Sequence, residues 1–315
     1  MRKNIAFISA ALLLTLCGCN PTGANNSSTR FLMDTVVNIS ANAENSVIAE
    51  AMDLAESYDK LFSKTNESSD VSRLNGGGNS QVSEDTLRLI KSAVNYSERT
   101  SGKFDITIGS VSALWDFSGG SVPNAEDITA AVKKVDYKSI TFSENKVNLN
   151  GARIDLGGCA KGFIADKIYE YFTEKGVENA LIDLGGNLYI MGGPTDVGIK
   201  NPFGEGVCAT VRVYSGAVVT AGTYERSFSV GEKRYHHILD TKTGYPAETD
   251  VVSATVFSES ALEADIISTT LVLLGQSDGM KFIENTEGVE ALFITSDGEI
   301  HISSGIYCKD GIYRL

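Results

Sequence analysis

Residues 234–275 read RYHHILDTKTGYPAETDVVSATVFSESALEADIISTTLVLLG, and the order of their parts says more about the fold than any other stretch. Two of only three histidines, His236 and His237, lead into the turn-forming run from Asp240 to Pro246. The β-branched, apolar segment from Val251 to Ser258 predicts a buried strand. Ser260 and Glu263 stand in capping-box spacing, which starts a helix at Ala261, and Gly275 supplies its stop. That helix sets Asp265 one turn before Thr269, with Ser268 at i+3. One carboxylate and one or two hydroxyls on one helix face are hard oxygen donors, suited to Mg²⁺ bound mainly through phosphate. On spacing alone, the same residues also describe a solvated helix face whose hydroxyls turn to the backbone.

Outward from this stretch, strands are predicted at 180–191, 208–214, 217–221 and 291–302, with a helix at 160–175. The first half predicts a strand at 33–41, helices at 45–62 and 83–97, a loop over 75–79, a short helix after Pro123 and paired strands within 140–149. Helices that alternate irregularly with hairpin-like strand pairs favour an α+β fold over a doubly wound one. No repeat or Pro-rich linker divides residues 31–315, which read as one domain.

The start of the chain has the form of a secretory signal: Arg2-Lys3, an apolar run from Ile5 to Leu16 too short to span a bilayer, then Leu16-Cys17-Gly18-Cys19. The L-x-G-C ending resembles a bacterial lipobox, which makes residues 1–19 a signal peptide and Cys19 the lipidated first residue of the mature protein. A plain secretory peptide or an uncleaved anchor is the alternative. Residues 20–30, rich in Asn, Ser, Thr and Gly, read as a flexible tether.

Removing residues 1–19 takes away Arg2 and Lys3 and no acid, so the formal charge moves from −13 to −15. An acidic surface disfavours nucleic acid and a polybasic grip on anionic lipid. A phosphate ligand then needs a local site and a metal. Cys159, Cys208 and Cys308 are spaced too widely and irregularly for a disulfide framework or a zinc site. Buried free thiols are the expectation, with a single bridge as the alternative.

Two further segments carry chemistry. Asp155-Leu156-Gly157-Gly158-Cys159-Ala160-Lys161-Gly162 joins a strand to a helix, where free N–H groups and Lys161 form a natural anion site and Asp155 offers an acceptor. It fits neither G-x-G-x-x-G nor a P-loop, and a plain tight turn would use the same residues. Gly102-Lys103-Phe104-Asp105 precedes Leu114-Trp115-Asp116; the lone tryptophan suits either ring stacking on a ligand or the core, where single tryptophans more often lie. His237 is a candidate general base near phosphate, although an ordinary hydrogen-bonded histidine is the commoner fate.

Taken in order, these segments resemble the ApbE family of FAD:protein FMN transferases, over nearly the whole mature chain. The resemblance also rests on Met33-Asp34-Thr35, Ser72-Arg73-Leu74-Asn75, Gly198-Ile199-Lys200-Asn201-Pro202 and Ala221-Gly222-Thr223-Tyr224. It implies mixed, largely antiparallel sheets with packed helices and a nucleotide site between two lobes. It also implies an Mg²⁺-dependent enzyme that passes the FMN half of FAD to a Thr or Ser hydroxyl of an acceptor flavoprotein and releases AMP. Contacts to FAD would come from Met33, Thr65, Lys103, Phe104, Asp105, Asp155, Lys161 and Leu239. Gly158, Asp265, Ser268 and Thr269 would stand at the metal, and His237 or Asp265 would take the acceptor's proton. Thr65 replaces an aromatic that many relatives have, and Ser268 replaces an Asp found in some, which implies weaker metal affinity before FAD binds. The implied partners are a flavoprotein domain of an extracytoplasmic redox complex and a membrane held through Cys19. Hydrolysis of FAD to FMN and AMP, and flavin binding without turnover, are the rival readings.

Overall fold

The computed structural model describes residues 26–77 and 79–315, so the expected signal peptide, the Cys19 lipidation site and residues 20–25 of the tether lie outside the described residues. The chain opens with β1 (Asn26–Leu32), β2 (Thr35–Ala41), α1 (Asn45–Phe62), α2 (Asp70–Asn75), β3 (Asn79–Gln81) and α3 (Glu84–Arg99). Next come α4 (Gly109–Ser112), α5 (Ala125–Val132), β4 (Thr141–Ser143), β5 (Lys146–Asn148), α6 (Ala160–Glu174), β6 (Ala180–Leu184) and β7 (Asn187–Met191). Five strands follow: β8 (Thr195–Lys200), β9 (Val207–Val213), β10 (Gly216–Gly222), β11 (Ser227–Val230) and β12 (Lys233–His236). The last third holds β13 (Val251–Ser258), α7 (Ala261–Leu274), α8 (Gln276–Glu284), β14 (Glu290–Thr295), β15 (Ile300–Ile302), β16 (Tyr307–Lys309) and β17 (Ile312–Arg314).

The α+β architecture is as expected. An eight-stranded sheet runs β1-β2-β6-β7-β10-β13-β14-β15, antiparallel throughout. A smaller sheet, β16-β17-β9-β8, carries one parallel pair, β17 with β9. Helix α1 buries Ile48, Ala51, Met52, Ala55, Tyr58 and Phe62, a 3.6-residue stripe that seals it to the main core. Helix α7 differs, because nearly all of its turns are buried. It lies against α6, α8, β10 and β13, and is buried on nearly all sides for that reason. Among the described residues, no helix is long and apolar enough to cross a membrane.

Several expectations need correction. The strand predicted from Met33 begins at Thr35, and Met33-Asp34 form a two-residue hairpin turn with φ of 51° and 58°. The predicted tether is a strand from Asn26 onward, paired with β2 along its length. Its polar composition hid it because an edge strand is held by backbone hydrogen bonds and needs few apolar side chains. Helices α2 and α8 and strands β8, β11, β12, β16 and β17 were not predicted, being short or polar. The capping box of α7 is half formed. Ser260 accepts from the Glu263 N–H at 3.2 Å, but the Glu263 carboxylate turns to Tyr96 and Ser258. Cys159 is a buried free thiol, whereas Cys208 and Cys308 are free and exposed, which corrects the expectation for two of the three.

Trp115 lies in the core. It stacks on Phe117 at 5.5 Å between centroids, contacts Tyr235 and Tyr245, and donates through Nε1 to the Gly244 carbonyl at 3.1 Å. This aromatic cluster also buries Leu239 and packs as a small second body. Phe104 belongs to the main core instead.

Helices α6 and α7 meet at Gly162. A Cβ there would collide with the Ala261 carbonyl and stand 2.8 Å from Asp265 Cβ. Gly162→Ala should therefore force the helices apart and cost about 1–3 kcal/mol, read as a lower urea midpoint with an unchanged slope. An unchanged midpoint would contradict the close approach.

Candidate active site

The close approach at Gly162 has a polar counterpart. The Gly162 N–H donates to Asp265 Oδ2 at 2.9 Å, so a carboxylate 5% exposed meets the start of α6. Burial pushes the Asp265 carboxyl above its ordinary range, and Lys161, the Gly162 N–H and Asn187 pull it back. The start of α7 is held from the side by Asp166 of α6, which accepts from the Ala261 and Leu262 N–H groups at 2.7 and 3.0 Å and from the Ser260 hydroxyl at 2.8 Å. Helix α7 is thus capped by the helix it faces.

Gly158, in the loop before α6, closes this arrangement. A Cβ at that position would lie 3.6 Å from Thr269 Oγ1 and 3.2 Å from the Phe104 ring, so glycine lets the loop backbone reach both. Three of the four expected metal-side residues, Gly158, Asp265 and Thr269, therefore converge. Ser268 is buried, and its hydroxyl donates to the Asp265 carbonyl at 2.9 Å, which ties its proton into its own helix. Among the described residues there is no group of three or more His, Cys, Asp or Glu side chains able to hold a metal. One carboxylate, one hydroxyl and a glycine backbone instead form a sparse set of hard donors. That set fits Mg²⁺, which keeps most of its coordination for phosphate and water.

The residues expected at the flavin nucleotide surround this point. Asp155 accepts from Lys64 Nζ at 2.7 Å, Ser112 Oγ at 2.8 Å and the Gly157 N–H at 2.9 Å. Burial raises its carboxyl, but Lys64 and these hydrogen bonds outweigh it and hold the group below the usual carboxylate range. Thr65, next to Lys64, is exposed on the same loop. Lys103 reaches the Leu273 carbonyl at the end of α7 (3.3 Å) and Asp240 (3.6 Å). Leu239 is buried beside that turn, and Thr241 bonds the Gly102 carbonyl at 2.7 Å. Asp105 is also here, but its carboxylate is committed to the Thr107 N–H and hydroxyl and to the Tyr137 N–H. It shapes the turn that presents Phe104 and offers no free oxygen pair.

Met33 lies farther along, its N–H donating to Asp59 at 3.2 Å. Arg226 reaches back to Asp34 of that hairpin at 3.7 Å, and its carbonyl accepts the His237 N–H at 3.1 Å. His237 Nδ1 is buried without a hydrogen-bond partner. Desolvation, with Arg226, His236 and Lys161 as positive or polar neighbours, lowers its imidazole to about 4. The ring is neutral at pH 7. Cys159 is pushed well above its ordinary value by burial and by Asp265 and Asp155, so its thiol is inert.

Three residues of this centre escaped the sequence reading. Lys64 pairs with Asp155 across 91 residues, a relation no local pattern carries. Asp166 reads as a helix-face acid until its partners on α7 are seen. Asn187 accepts from Lys161 Nζ at 3.2 Å and left one signal, a polar residue at the head of an otherwise apolar strand.

A model of the ApbE family matches residues 33–293. The chain is 34% identical over 272 residues to the FAD:protein FMN transferase of Klebsiella pneumoniae (strain 342), covering 83% of this chain and 86% of that one. It is 32% identical over 288 residues to the enzyme of the same name from Treponema pallidum (strain Nichols), covering 82% and 80%. The crystal structure of the ApbE protein of Thermotoga maritima superposes with a TM-score of 0.83 at 34% identity, covering 89% of this chain and 97% of that one. The flavin transferase ApbE from Vibrio cholerae superposes at 0.78 with 26% identity, covering 89% and 98%. Fold, ordered motifs and these likenesses agree, and the chain belongs to the ApbE family.

Proposed function

We propose that this protein is an FAD:protein FMN transferase that moves the FMN portion of FAD to a Thr or Ser hydroxyl of an acceptor flavoprotein, with release of AMP. The observation that carries the reading is the convergence of Gly158, Asp265 and Thr269 on the Lys161 end of α6, in a chain of this family. FAD would lie with its pyrophosphate at that helix start, where free N–H groups and the Lys161 ammonium favour anionic oxygens. Mg²⁺ held by Asp265, Thr269 and the Gly158 backbone would supply Lewis-acid stabilisation of the phosphate oxygens. The acceptor oxygen attacks the phosphorus of the FMN half, the bond to the bridging oxygen breaks, and AMP leaves with that electron pair. Lys161 offsets the charge that builds on the phosphoryl oxygens. The neutral His237 takes the hydroxyl proton, a role usually worth about 10²- to 10⁴-fold in rate.

The lipobox-like Leu16-Cys17-Gly18-Cys19 supports a location outside a bacterial cytoplasmic membrane, on a lipid anchor at Cys19. Acceptors there would be flavin-bearing domains of redox complexes.

Asp265→Asn keeps the shape and the acceptor for Gly162 but removes the charge. We expect transfer to fall at least about 10²- to 10³-fold with melting behaviour retained. AMP release and acceptor mass, measured with and without acceptor, read this directly, and full activity would rule out Asp265 at the metal. Release of AMP without acceptor labelling would instead point to hydrolysis.

The histidine makes a separate prediction. With its folded value near 4, His237 should produce an acid limb in the pH–rate profile around pH 4, and His237→Asn should remove it while slowing transfer. A limb centred near pH 6.5 would contradict the buried, neutral ring. The same depression makes the unfolded chain the better proton binder. Stability owed to the neutral imidazole is therefore full above about pH 6.5 and lost as pH falls toward 4.

A further inference from the structure

Asn187 opens β7 directly after the Gly185-Gly186 turn, where both glycines hold positive φ of 71° and 93°. It stands opposite Val219 of β10. Its side chain faces the helices, since Oδ1 accepts from Lys161 Nζ of α6 at 3.2 Å. That bond fixes the amide: the oxygen points to the ammonium, and Nδ2 is turned away from it. The residue is 1% exposed, and Nδ2 has no hydrogen-bond partner in the protein. The amide lies near enough to Asp265 to favour its charged form, but no contact of Nδ2 with that carboxylate has hydrogen-bond geometry.

A buried amide donor without a partner is destabilising, and such groups are rare in folded proteins. Leucine or valine would pack this strand position without that penalty. Among the described residues, four buried side-chain atoms lack partners: Asn187 Nδ2, His236 Nδ1, His237 Nδ1 and Ser253 Oγ. Of these, Asn187 Nδ2 belongs to the group bonded to the lysine at the start of α6, between that lysine and the buried carboxylate. An anion seated there would complete the donor.

We infer that Asn187 is a substrate-binding residue, its Nδ2 donating to a pyrophosphate oxygen of FAD while its Oδ1 steers the Lys161 ammonium toward the same group. The inference rests on the transferase reading above. One planar amide then sets two donors on one phosphate, with the Asp265 carboxylate kept apart from Lys161 by its width. The amide touches the oxygens that gain charge, so part of its contribution should appear in kcat as well as in FAD affinity.

The test compares Asn187→Leu and Asn187→Asp with the natural protein. Flavin fluorescence measures FAD binding with Mg²⁺ and no acceptor, melting is followed without ligand, and transfer kinetics are measured with acceptor. Leu removes the orphan donor and fills its space, so the ligand-free protein should melt at the same temperature or higher. FAD should bind about 10- to 100-fold more weakly, the range expected for a hydrogen bond to a charged group. Asp retains an oxygen for Lys161 but sets a carboxylate against phosphate, and should weaken FAD more than Leu does. Either variant binding FAD as tightly as the natural protein would overturn the assignment, as would a Leu variant that melts lower with FAD affinity intact. Should the Leu variant fail to fold, the Asp variant alone decides: weaker binding supports the role and equal binding ends it. Failure of the natural protein to bind FAD would strike the transferase reading itself, whereas tight binding by all three proteins would remove only Asn187.

Discussion

The site depends on a missing side chain. Because Gly162 has no Cβ, α6 and α7 approach until a backbone N–H of one meets a buried carboxylate of the other. Any larger residue would separate Asp265 from Lys161 and draw Thr269 away from the Gly158 loop. The contact is stabilising only while each group is paired, since an isolated buried carboxylate would take up a proton. Asp166 acts on the same joint from the other side by capping the start of α7. Two helices far apart in sequence are thereby locked in axial register by three hydrogen bonds to one side chain and one to another.

Electrostatics follow from that joint. Asp155 is held charged by Lys64 and nearby N–H and O–H donors, while Asp265 is pushed toward its neutral form by burial. A cation brought to Asp265 would reverse the balance there, because it supplies the charge that burial removes. The imidazole of His237 stays neutral for the same leading reason, desolvation, to which its positive neighbours add. One acid is therefore structurally satisfied, a second waits for a positive partner, and a base is kept free of its proton. These states suit phosphoryl chemistry near neutral pH.

The long helices and the central strands were legible because burial writes a period into sequence. Helix α1 carries its stripe from Ile48 to Phe62, and β13 is buried at six of its eight positions because helix and smaller sheet cover its two faces. Strand β1 was not legible, since its stability lies in backbone pairing with β2. Trp115 shows the limit of residue type as evidence: an aromatic suited to flavin stacking is used to hold the Gly244 turn. Asp105 shows the same for an acid, fixed by three hydrogen bonds within its own turn and to Tyr137.

By itself the sequence determined the α+β class, the helix that carries Asp265 and Thr269, and the glycine-rich start of α6. These are set by local capping, by periodicity and by motif order, all of which act over a few residues. Only the tertiary structure decided that the two helices touch at Gly162, that Lys64 neutralises Asp155, and that Asn187 stands buried with a free donor beside Lys161. Each of those depends on atoms brought together from distant parts of the chain. Their physical cause is close packing around a shared core, which leaves no trace in the spacing of any single segment.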